Sequence, residues 1–390
     1  MQEKFENGVL TIFLSGRIDS SNAASVGEQI NAIIDKYSDF KLVLDADQLE
    51  YISSAGLRVV LSLRKKYADM ELINTSSDVY EIFDMTGMTE MLNIKKAFRH
   101  VSVEGCEVIG QGANGVVYRI DPDTIVKVYI NPDSLPDIQR ERDLARKAFV
   151  LGIPTAISYD IVKVGDSYGS VFELLNAKSF SKLFKANPDK FDEYIDKYVE
   201  IMKMMHTTKV KPQDMPSMKE LAVNWAEFTA EYLTKEEGEK LLKLVKEVPE
   251  RDTMLHGDYH TNNIMLQNDE ALLIDMDTLC YGHPIFELAS MYMGFQGFSD
   301  IDHKQVESFL KITYELSKKI WEVSLARYLE TDDQARITEV AEKAMIIGYT
   351  RLMRRTIRRN GFETEEGKAI IENCHKHLTE LLPKYDTLDF

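Results

Sequence analysis

Along the first hundred residues the apolar positions switch between two periods, and the switching predicts strands and helices in turn. Residues 9–14, Val-Leu-Thr-Ile-Phe-Leu, read as a strand closed by Ser15-Gly16. Over 22–37, Val26, Ile30, Ile33, Ile34 and Tyr37 recur at the spacing of one helix face. Residues 41–44 predict a short buried strand, 55–66 a second helix, 70–73 a further strand and 78–85 a third helix. Such a β-α-β-α-β-α order requires a sheet with helices packed on it.

Near residue 101 the pattern changes. Residues 104–109, 116–120 and 125–129 predict three close-set strands, with Asp121-Pro122-Asp123 as a tight turn between the second and third. A helix over 138–150 follows, then strands at 157–164 and 170–174. From Ser179 onward the pattern is mostly helical, with an interruption near 254–275. The expected fold class is therefore α/β plus α+β: a small α/β domain over 1–99, then a domain over 100–390. In the second, an antiparallel β lobe (100–175) precedes a mostly helical lobe (176–390).

Composition narrows the class. Hydrophobic residues make up 44% and charged residues 28% of the 390, the proportions of an ordinary globular protein. The three cysteines, Cys106, Cys280 and Cys374, are far apart and form no C-x-x-C pair, which argues against a structural zinc site and suits a reducing compartment. No apolar run reaches the roughly 18–20 residues of a membrane helix, and the polar N-terminus lacks a signal pattern, so a cytoplasmic protein without membrane association is expected. A net charge of −17 repels nucleic-acid phosphates and would attract cationic small molecules. Arg351, Arg354, Arg355, Arg358 and Arg359 run against that balance, and their spacing puts most of them on one side of a helix. A solvated face or salt bridges explain them more cheaply than an anion site.

Three segments carry chemistry. Gly110-Gln111-Gly112-Ala113-Asn114-Gly115 fits G-x-G-x-x-G, and the β-branched stretch after it reads as a strand rather than a helix. Glycines joining two antiparallel strands leave backbone N–H groups free to approach a polyphosphate. Lys127 lies inside an apolar strand and needs a partner. Glu141, on the core-facing side of the next helix, can supply one and hold the ammonium ready for the α- and β-phosphates. The sharpest signal is His256-Gly257-Asp258-Tyr259-His260-Thr261-Asn262-Asn263, followed twelve residues later by Asp275 at the end of a short apolar strand. One carboxylate to accept the proton of an attacking hydroxyl, and an amide oxygen with a second carboxylate to hold magnesium, are what phosphoryl transfer asks of a protein.

Residues 105 to about 300 resemble the aminoglycoside phosphotransferase and choline kinase group, whose hallmark is H-G-D-x-H-x-x-N followed by I-D-x-x, here Ile274-Asp275-Met276-Asp277. Gly282-His283-Pro284-Ile285-Phe286-Glu287-Leu288-Ala289 matches a further family motif, with Glu287 in place of a structural Asp. The resemblance implies a bilobal protein-kinase-like fold that binds ATP and Mg2+. Asp258 is then the catalytic base, and Asn263 and Asp275 the metal ligands. Gly110, Gly112, Gly115, Lys127 and Glu141 hold the nucleotide, with Leu175 in a hinge over 173–176. His256 braces the loop, His260 makes a simple loop contact, and Asp277 either reaches the metal through water or is solvated. The acceptor implied is a small hydroxylated molecule. Were it cationic, acidic residues should line its pocket.

Residues 3–97, including Gly16-Arg17-Ile18-Asp19 and the stretch from Leu42 to Leu61, resemble the STAS domain of anti-sigma-factor antagonists. That resemblance implies a regulatory module with a protein partner and makes Ser54 the phosphoacceptor by position, although a serine between strand and helix also suits plain capping. Three functions stay open. The first is a small-molecule kinase with a regulatory STAS domain. The second is a protein serine kinase acting on Ser54 of its own or a related STAS domain. The third is a non-catalytic nucleotide sensor.

Overall fold

A computed structural model describes residues 1–112 and 114–390, so Ala113 of the glycine motif lies outside the described residues. The chain divides into two compact units, Met1–Ser102 with Ile161–Asp166, and Val103–Asp160 with Ser167–Phe390.

The first unit is mixed α/β. Its elements are β1 (Gln2–Glu6), β2 (Val9–Ile18), α1 (Ala23–Ile34), β3 (Lys41–Ile52), α2 (Ser54–Lys66), β4 (Glu71–Thr75), α3 (Ser77–Met85), β5 (Asn93–Lys96) and the short β6 (Arg99–His100). The sheet order is β1-β2-β3-β4-β5, antiparallel at the first pair and parallel thereafter. Leu10, Ile12, Leu42, Leu44 and Leu72 are wholly buried in its core, as expected for a parallel sheet covered by helices. β1 and β5 escape sequence prediction because they are edge strands, mostly exposed, with no apolar alternation to betray them. β3 runs on to Ile52 rather than stopping at 44. Its pairing with β2 continues across two register shifts that hide the period in the sequence.

The second unit begins with β7 (Glu107–Gln111), β8 (Gly115–Asp121) and β9 (Thr124–Tyr129), then α4 (Leu135–Val150). Next come β10 (Asp160–Val164), most of which belongs to the first unit and pairs in parallel with β6, and β11 (Ser167–Glu173). Strands β7, β8, β9 and β11 form a continuous antiparallel sheet. α4 starts at Leu135 rather than 138, because Pro136 sits in the first turn, where its missing N–H has no intrahelical partner to lose.

The rest is helical around a few short strands. The helices are α5 (Phe180–Ala186), α6 (Phe191–Thr207), α7 (Met218–Ala230), α8 (Lys235–Lys246), α9 (Ile285–Phe295), α10 (Lys304–Leu310), α11 (Tyr314–Leu329), α12 (Gln334–Arg358) and α13 (Glu365–Leu381). β12 (Lys178–Ser179), β14 (Ile264–Gln267) and β15 (Glu270–Leu273) make a small sheet, and β13 (Met254–Leu255) pairs with β16 (Cys280–Tyr281). No helix among the described residues is long and apolar enough to cross a membrane.

Candidate active site

The segment between β13 and β14 is held from three sides. Glu287, at the start of α9 and wholly buried, accepts from the backbone N–H groups of His256 (2.5 Å) and Gly257 (3.0 Å). Each of its two carboxylate oxygens thus takes one backbone donor. The His256 ring is buried and its Nε2 lies 3.1 Å from the Ile274 carbonyl, which ties this loop to the next and agrees with the bracing expected of it. Tyr259 donates its hydroxyl to the Tyr198 carbonyl of α6 at 2.5 Å. Gly257 has a positive φ of 81°, and a Cβ there would lie 2.4 Å from the Thr278 carbonyl oxygen, so only glycine fits.

This scaffold presents Asp258, whose side chain keeps 43% of its surface exposed and is open to a reactant. Burial alone would raise its pKa. A hydrogen bond from His260 and the nearby charges of His260, His256 and Arg351 outweigh burial and hold it below the ordinary carboxylate value. His260 Nε2 lies 3.4 Å from Asp258 Oδ2, and its Nδ1 accepts from the Asn262 N–H, so the ring orients the carboxylate instead of making only a loop contact. The second histidine of the H-G-D-x-H spacing was the available signal for that role. Asn263 donates its amide N–H to the Asp258 carbonyl oxygen (3.0 Å) and faces Asp258 Oδ2 at 3.5 Å, which leaves its own Oδ1 for another partner.

Asp275 is reached from Asn263 along the backbone, since the Ile274 N–H donates to the Asn263 carbonyl. It adopts a left-handed conformation (φ 62°), which Asp tolerates better than most non-glycine residues. Lys127, on β9, spans 2.6 Å to Asp275 Oδ1 and 3.5 Å to Glu141 Oε1 of α4. Burial disfavours the ammonium, but Glu141 and Asp275 more than offset it and raise the pKa, so the lysine stays charged. Glu141 is itself buried and fixed by the Tyr129 hydroxyl at 2.9 Å. Asp277 is only partly exposed. Burial above all, with Asp275 and Glu141 adding to it, lifts its pKa to about 7.

Lys127, Glu141, Asp258, Asn263 and Asp275 therefore form one connected set. The glycines play unequal parts. Gly110 and Gly115 lie in β7 and β8, and a Cβ on Gly115 would meet the Val128 carbonyl oxygen at 2.4 Å, so close strand approach requires that glycine. Gly112 is in the turn, exposed, with open space where a side chain would be. Leu175 follows β11 in an irregular stretch and is half-buried, while the Leu174 N–H is taken by the Asp123 carbonyl. Between Asp275 and α9 there is room only for a single short turn and β16.

The arginine run is in part the solvated face expected, with Arg355, Arg358 and Arg359 exposed and Arg351 and Arg354 half-buried, but the salt bridges are missing. Among the described residues none of Arg351, Arg354, Arg355, Arg358 and Arg359 forms an ion pair. Arg351 packs over Trp225, Arg354 over Phe228 and Arg355 over Phe298, and Arg351 donates to Ser290 Oγ at 3.1 Å. Aromatic faces on α7 and after α9, invisible in the spacing of α12, fill the place of the expected carboxylates.

In the first unit Ser53, not Ser54, caps α2, accepting from the Gly56 N–H. Ser54 is the first helical residue and is exposed.

A family model described as "Phosphotransferase enzyme family" matches residues 105–315, and a STAS domain model matches 1–102. The chain is 35% identical over 92 residues to "Putative anti-sigma factor antagonist BtrV" of Bordetella bronchiseptica, covering 23% of this chain and 78% of that protein. It is 29% identical over 90 residues to the anti-sigma-B factor antagonist of Listeria monocytogenes, covering 22% and 78%. Among solved structures, a thermostable mutant of aminoglycoside phosphotransferase APH(4)-Ia matches with a TM-score of 0.50 at 12% identity, over 71% of this chain and 94% of that one, which is a likeness of fold.

Proposed function

Because this chain belongs to the phosphotransferase enzyme family and carries a STAS domain ahead of it, we propose that it is an ATP- and magnesium-dependent kinase of a small hydroxylated molecule, with the STAS domain as a regulatory or partner-binding module. In this reading residues 1–99 regulate and residues 100–390 transfer, with Leu175 in the hinge between lobes. The observation that carries it is the connected set in which Lys127 joins Glu141 to Asp275 while Asn263 joins Asp258.

The residues present fit a magnesium ion. Asp275 offers a carboxylate and Asn263 an amide oxygen left free while its N–H donates to Asp258, with a second carboxylate, Asp277, two residues further on. One or two protein oxygens are enough for such an ion, with phosphates and water completing its shell. When bound, the ion neutralises charge on the phosphates. Lys127 positions the α- and β-phosphates, and Glu141 keeps Lys127 extended. Asp258, oriented by His260 and Asn263, takes the proton of the acceptor hydroxyl as its oxygen bonds to the γ-phosphorus. The bond from that phosphorus to the β-phosphate oxygen breaks, ADP leaves, and the proton passes from Asp258 to solvent. Positioning supplies most of the rate, so a weakly basic carboxylate suffices.

The test is ADP formation from Mg-ATP across hydroxylated metabolites, aminoglycosides and the protein alone. Acceptor-dependent turnover that disappears in Asp258→Asn supports the reading. Turnover unaffected by that change sinks it. A second reading, a protein serine kinase acting on Ser54, is favoured by one observation: Ser53 does the capping, so the exposed Ser54 hydroxyl is available. Against it stands the short span from Asp275 to α9, which leaves no room for a long peptide-docking loop. Saturable nucleotide binding with no turnover on any acceptor would leave the sensor reading.

A further inference from the structure

Two arginines of α12, Arg351 and Arg355, lie close enough to Asp258 for their charges to act on it. Arg351 Nη1 donates to Ser290 Oγ (3.1 Å), and Ser290 Oγ donates to the Gly257 carbonyl (3.0 Å), the residue before the base. Arg355 lies one turn further along the same face, its guanidinium 5.3 Å from the Phe298 ring centre, and Arg351 is 5.3 Å from that of Trp225. Aromatic packing fixes both guanidinium groups without neutralising either. Arg359 continues the line, and the mutual crowding of Arg351, Arg355 and Arg359 lowers the pKa of Arg355 after burial has done so, while Asp258 works the other way. Among the described residues no carboxylate forms an ion pair with them, so their N–H donors are left open to an anion. The nearby Asp300 is committed elsewhere, to the Tyr349 hydroxyl and Asn373.

We infer that Arg351 and Arg355 form an acceptor subsite for an anionic group, so that the molecule phosphorylated at Asp258 carries a carboxylate or a phosphate ester in addition to its hydroxyl. This rests on the kinase reading for the word acceptor, but the anion site stands on its own geometry. An anion brought towards a triphosphate is repelled by it, and by a protein of net charge −17. A pair of guanidinium groups on the acceptor side offsets that repulsion and offers fork-shaped donors that fix the orientation of a carboxylate or phosphate. A cationic acceptor, as the overall acidity suggests, would meet the arginines instead of the acidic lining it needs. The transfer itself is unchanged: the acceptor oxygen gains the γ-phosphoryl group, ADP leaves, and one proton passes through Asp258 to solvent.

Two measurements on the full chain test this and separate it from the kinase reading. First, inorganic phosphate is titrated by calorimetry with Mg-ADP saturating. Saturable binding that weakens tenfold or more in Arg355→Gln and in Arg351→Gln, and recovers in part in Arg351→Lys, is expected. Absent binding, or binding that none of these changes alters, overturns the inference. Arg355 is exposed, so its replacement tests the site without endangering the fold. Second, ADP formation is followed with acceptors matched in skeleton but bearing a carboxylate, a phosphate, no charge or an amine. Preference for either anionic form, lost in Arg355→Gln through a raised KM, supports the subsite and tells the two anions apart. Preference for the amine or neutral form overturns it. Should Mg-ADP itself fail to bind, with Lys127→Ala no different from wild type, the kinase reading falls while phosphate titration without nucleotide still decides the arginine site.

Discussion

At the residue scale the proposed chemistry depends on two side chains doing different work. Asp258 contacts the reactant, and a general base of this kind contributes about 10²–10⁴-fold to rate. Asp258→Asn is therefore expected to lower kcat by about that factor while calorimetry shows Mg-ATP binding intact. A loss of less than fivefold would remove Asp258 from the mechanism. Lys127 holds charge together. Lys127→Ala leaves Glu141 and Asp275 facing one another across a half-buried space without their shared cation. We expect Mg-ATP affinity to fall at least tenfold, and equal affinity in the variant would contradict the role given to the lysine. His260 shows why a residue can be misjudged from sequence. Its neighbours suggest a loop contact, and only the turn of the chain aims its Nε2 at Asp258.

At the element scale, the loop between β13 and β14 is rigid because α9 grips it. Glu287→Ala would leave the His256 and Gly257 N–H groups buried without an acceptor. Each such loss costs about 1–3 kcal/mol, so a drop of roughly 3 kcal/mol in unfolding free energy by urea denaturation is expected. Glu287→Asp should retain part of it, having one reach fewer. His283, two residues before α9, supplies a pH test. Burial lowers its pKa from 6.5 to about 4 despite the hydrogen bond to Asp389. Its Nδ1 accepts from the Ile285 N–H, so the folded protein favours the neutral ring. The unfolded chain takes up a proton near pH 6.5 that the folded one refuses until about pH 4. Stability is thus unaffected above pH 6.5 and lost as pH falls between those values, by roughly 3 kcal/mol in all. Thermal unfolding followed from pH 7 to pH 4 should show a steeper fall for wild type than for His283→Asn, and parallel curves would refute the assignment.

At the scale of the whole molecule, a phosphotransferase domain and a STAS domain share one chain, and the proposed link between them is testable through Ser54. If the protein-kinase reading holds, incubation with Mg-ATP places phosphate on Ser54 by mass spectrometry, and Asp258→Asn prevents it. An unmodified Ser54 during measurable ATP turnover rules out this chain's own Ser54 as the acceptor. A phosphate at the start of α2 would add nearly two negative charges beside the free N–H groups of a helix N-terminus, a change large enough to alter a binding surface.

The order of most elements and the fold class were legible in the amino-acid sequence because each is a local matter. Apolar period betrays helix or strand, and Asp258, Asn263 and Asp275 lie within one short stretch whose spacing is set by a single turn and hairpin. Where one segment met another, the sequence was silent. β1 and β5 carry no period of their own because a neighbour, not a core, pairs them. Glu287 holding two backbone donors, Ser53 capping in place of Ser54, and Arg351 reaching through Ser290 to the loop of the base are all contacts between residues that folding alone makes neighbours. A charge on a helix has no fixed meaning until its surroundings are known. The same five arginines that read as a solvated or salt-bridged face have no ion-pair partner among the described residues, and aromatic rings take the place of carboxylates against three of them.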